Sequence, residues 1–222
     1  MDTNKSLSEK ESLALIAQMI NKAKASYHDT GVSALMWGAV IAICSLVKLS
    51  EIHFGYRLPF DIYLLTLVAV IPQVILTIRE KKERKVKSYD EAFMDYLWLG
   101  FGISIILLIH VLNLLASNLE PVLADRYAAG TATGSFRLFE YVAPLFLILY
   151  GMPTFITGAA CKFKPMLWGG LVCWACSVIT VYTTIKIDLL LTAFSSIVAW
   201  FIPGIIMERD YRIYKSGQAK DV

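Results

Sequence analysis

Residues Leu97–Leu115 read LWLGFGISIILLIHVLNLL, nineteen positions without a single Asp, Glu, Lys or Arg. A helix rises about 1.5 Å per residue, so roughly 20 apolar residues cross a hydrocarbon core about 30 Å thick. Five further runs read the same way: Gly31–Leu49, Ile62–Ile78, Tyr141–Ala160, Met166–Ile185 and Leu189–Met207. The charged residues sit in short blocks between these runs. Across 222 residues, 57% are hydrophobic and only 18% charged, against about 25% charged in a soluble domain. The expected fold class is an all-α membrane protein with six transmembrane helices as three antiparallel hairpins. Residues 31–207 form the membrane domain, preceded by a cytoplasmic segment (1–30) and followed by a cytoplasmic tail (208–222). The tight turn between the last two runs is expected at Lys186-Ile187-Asp188.

Orientation follows from the basic residues, which are retained on the cytoplasmic side. With six spans, sixteen of the 21 Lys and Arg fall on the side of the two termini and five on the other. Both termini are therefore expected inside. The first 30 residues lack the layout of a cleavable signal peptide, carrying Asp2, Glu9, Glu11 and Asp29 and no apolar core.

The hairpins share marks that suggest an internal repeat. Trp37-Gly38, Trp98 (with Gly100) and Trp168-Gly169 stand at the start of each outgoing helix. Pro72, Pro153 and Pro203 stand near the end of each returning one. Trp37 and Pro72 are as far apart as Trp168 and Pro203; the middle pair is wider because the external loop Ala116–Leu138 intervenes. Within that loop, Asn118–Pro121 reads as a helix start. Glycine beside tryptophan allows a neighbouring helix to come close. Each proline withholds an N–H from the carbonyl one turn earlier.

Before the first span, Leu7–Tyr27 has Leu13, Ile16, Ile20 and Ala23 at three- and four-residue steps. An amphipathic helix is expected from Ser8 to Tyr27, lying on the inner leaflet with Lys10, Lys22 and Lys24 near anionic lipid, or docking a cytoplasmic protein partner.

Ionisable residues inside spans are the usual functional marks of a membrane protein. Lys48, Asp61, Glu140, Lys186 and Asp188 all fall near the outer ends, within expected reach of water. His110, with Asn113 three residues on and on the same face, lies deeper. Cys173 and Cys176 form a CxxC inside the fifth span, where a thiolate is disfavoured; they are expected to be packing residues. No HExxH, GxSxG or Gly-rich phosphate loop occurs, and no acid pair lies within a span. Neither an enzyme, nor a cofactor or metal site, nor a nucleic-acid partner is expected.

The stretch Glu11–Lys24 running on to Trp37-Gly38, together with Phe163-Lys164-Pro165 before Trp168-Gly169-Gly170, resembles uncharacterised six-helix integral membrane proteins of Bacteroidota. The resemblance implies a bacterial inner membrane and carries over no catalytic or binding residue. Two functions remain open from sequence. One is a non-enzymatic regulatory or sensory protein acting through a cytoplasmic partner. The other is a small transporter or channel for a neutral or lipophilic solute, with a homo-oligomer among the open partner readings. Candidate positions are Trp37, Gly38, Pro72, Trp98, His110, Asn113, Pro153, Trp168, Gly169 and Pro203.

Overall fold

A computed structural model describes residues 30–83, 89–128 and 141–218. The helix expected over Ser8–Tyr27 lies outside the described residues, as do Gly130–Gly134 of the external loop. The helices are α1 (Val32–Phe54), α2 (Leu64–Glu83), α3 (Tyr89–Ala128), α4 (Val142–Ala160), α5 (Lys164–Thr180) and α6 (Ile185–Ser196). A π-helical turn (Ile197–Phe201) then joins α6 to α7 (Ile202–Gln218) without a break. No strand is present among the described residues.

Among the described residues, four helices are long and apolar enough to cross a membrane: Val32–Phe54, Ala92–Leu119, Val142–Ala160 and the combined Ile185–Ile213. Their outward side chains are apolar as well, including Ile43, Ile106, Ile148 and Phe194. These features mark a membrane protein. The apolar part of α2 (Leu64–Arg79) and the 17 residues of α5 are shorter.

In lipid the surroundings of a helix are as apolar as its neighbours, so association depends on close packing and interhelical hydrogen bonds. The structure uses glycine for this. A methyl group added at Gly38 on α1 would lie 2.5 Å from the backbone nitrogen of Phe201. One added at Gly169 on α5 would lie 2.5 Å from the Cα of Ala199. Between α4 and α5, Gly158 abuts the backbone of Leu167, Gly151 the indole of Trp174 and Gly170 the side chain of Phe155. The tightest approaches therefore run between α4 and α5 and from the π-turn to both α1 and α5; the first two cross the boundaries of the expected hairpins and the last lies within one.

The α4–α5 turn is a Schellman motif: the Phe163 N–H donates to the Gly158 carbonyl at 2.9 Å, with Lys162 in the left-handed region (φ 53). Pro165 follows at the start of α5, where its missing N–H costs nothing. At the other end of the bundle, Gly55 (φ 73) closes α1 by donating to the Glu51 carbonyl.

Three expectations need correction. The last turn lies at 181–184, ahead of Lys186-Ile187-Asp188, because Thr184 adopts the extended conformation of a helix N-cap and Lys186 and Asp188 enter the first turn of α6. Helix α3 runs 40 residues to Ala128, so the first half of the expected loop is helical and Pro121 lies inside the helix, not at its start. A proline there removes one backbone bond, and on an exposed helix the freed carbonyl can turn outward. Asp188 does not reach water; it is 2% exposed.

Candidate functional site

A set of enclosed polar and aromatic groups lies where α1, α4 and α5 meet the π-turn. Trp200, on that turn, is 4% exposed, and its indole N–H donates to the Thr154 hydroxyl at 2.8 Å. Thr154 donates in turn to the Tyr150 carbonyl at 2.7 Å. The Tyr150 ring lies 4.9 Å from that of Trp200, and Phe101 of α3 stands 6.0 Å from Tyr150 and 6.2 Å from Trp200. All three spacings fall in the range of favourable aromatic pairs. An indole N–H with no partner in an apolar interior would carry the full cost of desolvation. Thr154 removes that cost, and so fixes the Trp200 side chain.

Two prolines flank this contact. Pro153 directly precedes Thr154 and Pro203 follows Trp200 by three residues; both are fully buried. Neither has an N–H to continue its helical ladder. On the Pro203 side the ladder has already slipped: the Ile202 N–H donates to the Ile197 carbonyl five residues back. Such π-turns are uncommon and recur at functional sites. Here the turn is gripped from both sides, by α1 at Gly38 and by α5 at Gly169.

From this junction a stripe of polar side chains runs along α6 towards its start. Ser196, Ser195, Thr192 and Asp188 are all buried. Thr192 donates to the Asp188 carbonyl and Ser196 to the Ala193 carbonyl, each at 2.8 Å. Asp188 accepts a hydrogen bond from the Thr183 hydroxyl. Elsewhere in the interior, the hydroxyls of Ser45 on α1 and Tyr63 lie 3.3 Å apart, and Ser177 on α5 donates to the Pro144 carbonyl at 3.0 Å.

At the α1–α2 connection a cleft of about 690 Å³ opens, lined by Lys48, Glu51, Arg57, Phe60 and Asp61 among others. Its charges are largely engaged. Lys48 lies 2.9 Å from Glu51, which also accepts from the Leu58 N–H at 2.8 Å, and Asp61 accepts from the Tyr63 N–H at 3.0 Å. No group of three or more His, Cys, Asp or Glu placed to hold a metal occurs among the described residues.

Of the ten candidate positions, Gly38, Pro153, Gly169 and Pro203 meet at the junction. Trp98 touches its edge, 5.6 Å from the Phe101 ring. Trp37 packs against the same core and donates to the Gln73 side chain on α2 at 3.0 Å, next to the exposed Pro72. Trp168, at the matching place in the last hairpin, is 63% exposed; the residue after Pro203 is Gly204, which has no side chain to accept. His110 and Asn113 are exposed on α3, far along the helix from Phe101. Trp200, Thr154 and Tyr150 were not singled out from sequence. The available signal was the spacing Asp188, Thr192, Ser195, Ser196, which lines one polar face inside an apolar run. No family model, curated protein or solved structure matches the chain.

Proposed function

We propose that the chain is a non-enzymatic six-span protein of a bacterial inner membrane, with both termini cytoplasmic, that acts as a regulatory or sensory element through a cytoplasmic partner. Helices α2 and α5 complete the six spans as three antiparallel hairpins. At 17 residues α5 covers about 25 Å, short of the full hydrocarbon thickness but enclosed by its neighbours. The charge asymmetry of the connections supports the orientation.

The observation that carries the reading is the plug formed by Trp200, Tyr150 and Phe101 over the Thr154 hydroxyl. A carrier needs a passage or cavity at mid-depth, and there the bundle is filled by aromatic rings. The surrounding backbone is nevertheless of a kind that can switch: two prolines and a π-turn meet at one hydrogen bond. A change in lipid pressure or a lipophilic ligand that alters this contact would shift α7, which continues past the membrane to Gln218.

The test is reconstitution of the full chain into liposomes, with uptake of a small neutral solute and deuterium exchange of the cytoplasmic segments measured in thin and thick bilayers. The sensory reading expects uptake no faster than in protein-free vesicles, and exchange in residues 208–222 that depends on bilayer thickness. Protein-dependent uptake would replace it with the transporter reading. Exchange insensitive to the bilayer would remove the sensory role.

A further inference from the structure

The face of α3 turned away from the bundle carries a second feature, independent of the junction. Trp98, Phe101 and Ile105 pack against the core. At 100° per residue, the positions Leu99, Ile103, Ile106, His110, Asn113 and Ser117 fall on a strip about 130° around from them. They follow alternating steps of four and three, the spacing of a helix–helix seam. All six are exposed, Leu99 at 57%, Ile103 at 51% and Ile106 at 69%. The near half of the strip is apolar and the far half polar.

Lipid satisfies the apolar half but not the polar one. Ile106 is the midpoint of Leu97–Leu115. His110 is about 6 Å and Asn113 about 10 Å beyond it along the axis, both inside a half-thickness of about 15 Å. Asn113 donates one amide N–H to the Ile109 carbonyl of its own helix at 2.9 Å. Its side-chain oxygen has no bond among the described residues, and none is formed there by the His110 ring. Polar groups at this depth are costly unless another protein surface meets them.

We propose that a second copy of this chain covers the strip, pairing α3 with α3 in a parallel two-fold arrangement. The inference rests on α3 being a span. Every copy enters the membrane in the same direction, so His110 and Asn113 of two copies lie at equal depth. Neutral imidazole and carboxamide each carry a donor and an acceptor, so the strip is complementary to itself without any charge. A single Asn in an otherwise apolar seam is a known device for fixing register and partner number. Leu99, Ile103 and Ile106 pack across the axis below it.

The experiment uses the full chain in liposomes at graded protein-to-lipid ratios. Ile106→Cys is expected to give a covalent dimer on mild oxidation. Val111→Cys, also exposed (49%) but turned about 140° from Ile106, is not. The parent protein, whose Cys44, Cys173 and Cys176 are buried, is run beside them. The double variant His110→Leu/Asn113→Leu keeps the span apolar and is expected to shift the monomer–dimer midpoint about tenfold towards higher protein density. Subunit counting by photobleaching reads that shift. A parent protein monomeric at every ratio means lipid or a different protein covers the face, and overturns the proposal. So does equal cross-linking at both cysteines, or a midpoint that the double variant leaves unchanged. Should the double variant unfold, the cysteine pair alone decides. Reporters at Lys85 and Gly130 answering from the same side would instead locate the failure in the reading of α3 as a span.

Discussion

Gly38 and Gly100 have the same side chain and sit in similar sequence, yet a methyl group has opposite consequences at the two. At Gly38 it meets the backbone of Phe201; at Gly100 it meets nothing within 4 Å. Gly38→Ala is expected to destabilise the protein by about 1–3 kcal/mol through overpacking. Gly100→Ala is expected to be neutral or to stabilise by up to about 1 kcal/mol from helix propensity. Thermal unfolding in one detergent, with the two variants side by side, reads the difference. Trp200→Phe keeps most of the ring but loses the bond to Thr154. It should cost about 0.6–2 kcal/mol on the same assay, and Thr154→Val a similar amount. Added together in the double variant, the two losses should fall short of their sum, since one bond is lost in both. Gly38 and Gly169 were legible because glycine beside tryptophan in a span has few uses other than close approach. Trp200 was not, because an indole inside an apolar run looks the same whether it faces lipid, an interface or a buried hydroxyl. Asp188 was misread for a related reason: distance from the end of a run gives depth along the helix but not which way the side chain faces.

At the scale of elements, helices differ in how firmly they are held. The α4–α5 pair interlocks through Gly151, Gly158 and Gly170, while beyond Met94 none of the described side chains of α3 is buried. Local opening is easiest where buried contacts are few. Amide exchange in detergent should therefore be fastest in α2 and α3 and slowest in α4 and α5, by about tenfold or more. Uniform exchange across all helices would contradict this ranking. The four helices long enough to cross a membrane each overlap a run that hydropathy marks. The extension of α3 to Ala128 was not legible, because Asn118–Pro121 has the composition of a helix start and only the backbone shows the helix running through it. The π-turn was hidden more completely. An apolar run has the same composition whether its carbonyls accept from four or five residues away.

For the whole molecule, the charge distribution predicts that reporters fused at Gly130 and at the C-terminus answer from opposite sides of the membrane. A shared side would mean that α5, the short helix between the two reporters, does not cross. Hydropathy made the order of the apolar helices along the chain legible. It did not disclose which helices touch, since a helix in lipid needs no apolar face to mark its neighbour. That is why the close approach of α1 to the π-turn, joining the first span to the last, emerged only in three dimensions. The grip of Gly38 and Gly169 on that turn also makes it a fulcrum. From Phe201 the rod of α7 continues 17 residues to Gln218, an arm of about 25 Å. A tilt of about 10° at the fulcrum sweeps the far end through about 4 Å, enough to separate two surfaces in contact. A sub-ångström adjustment among buried rings would thus arrive outside the membrane enlarged, with no hinge needed along the way.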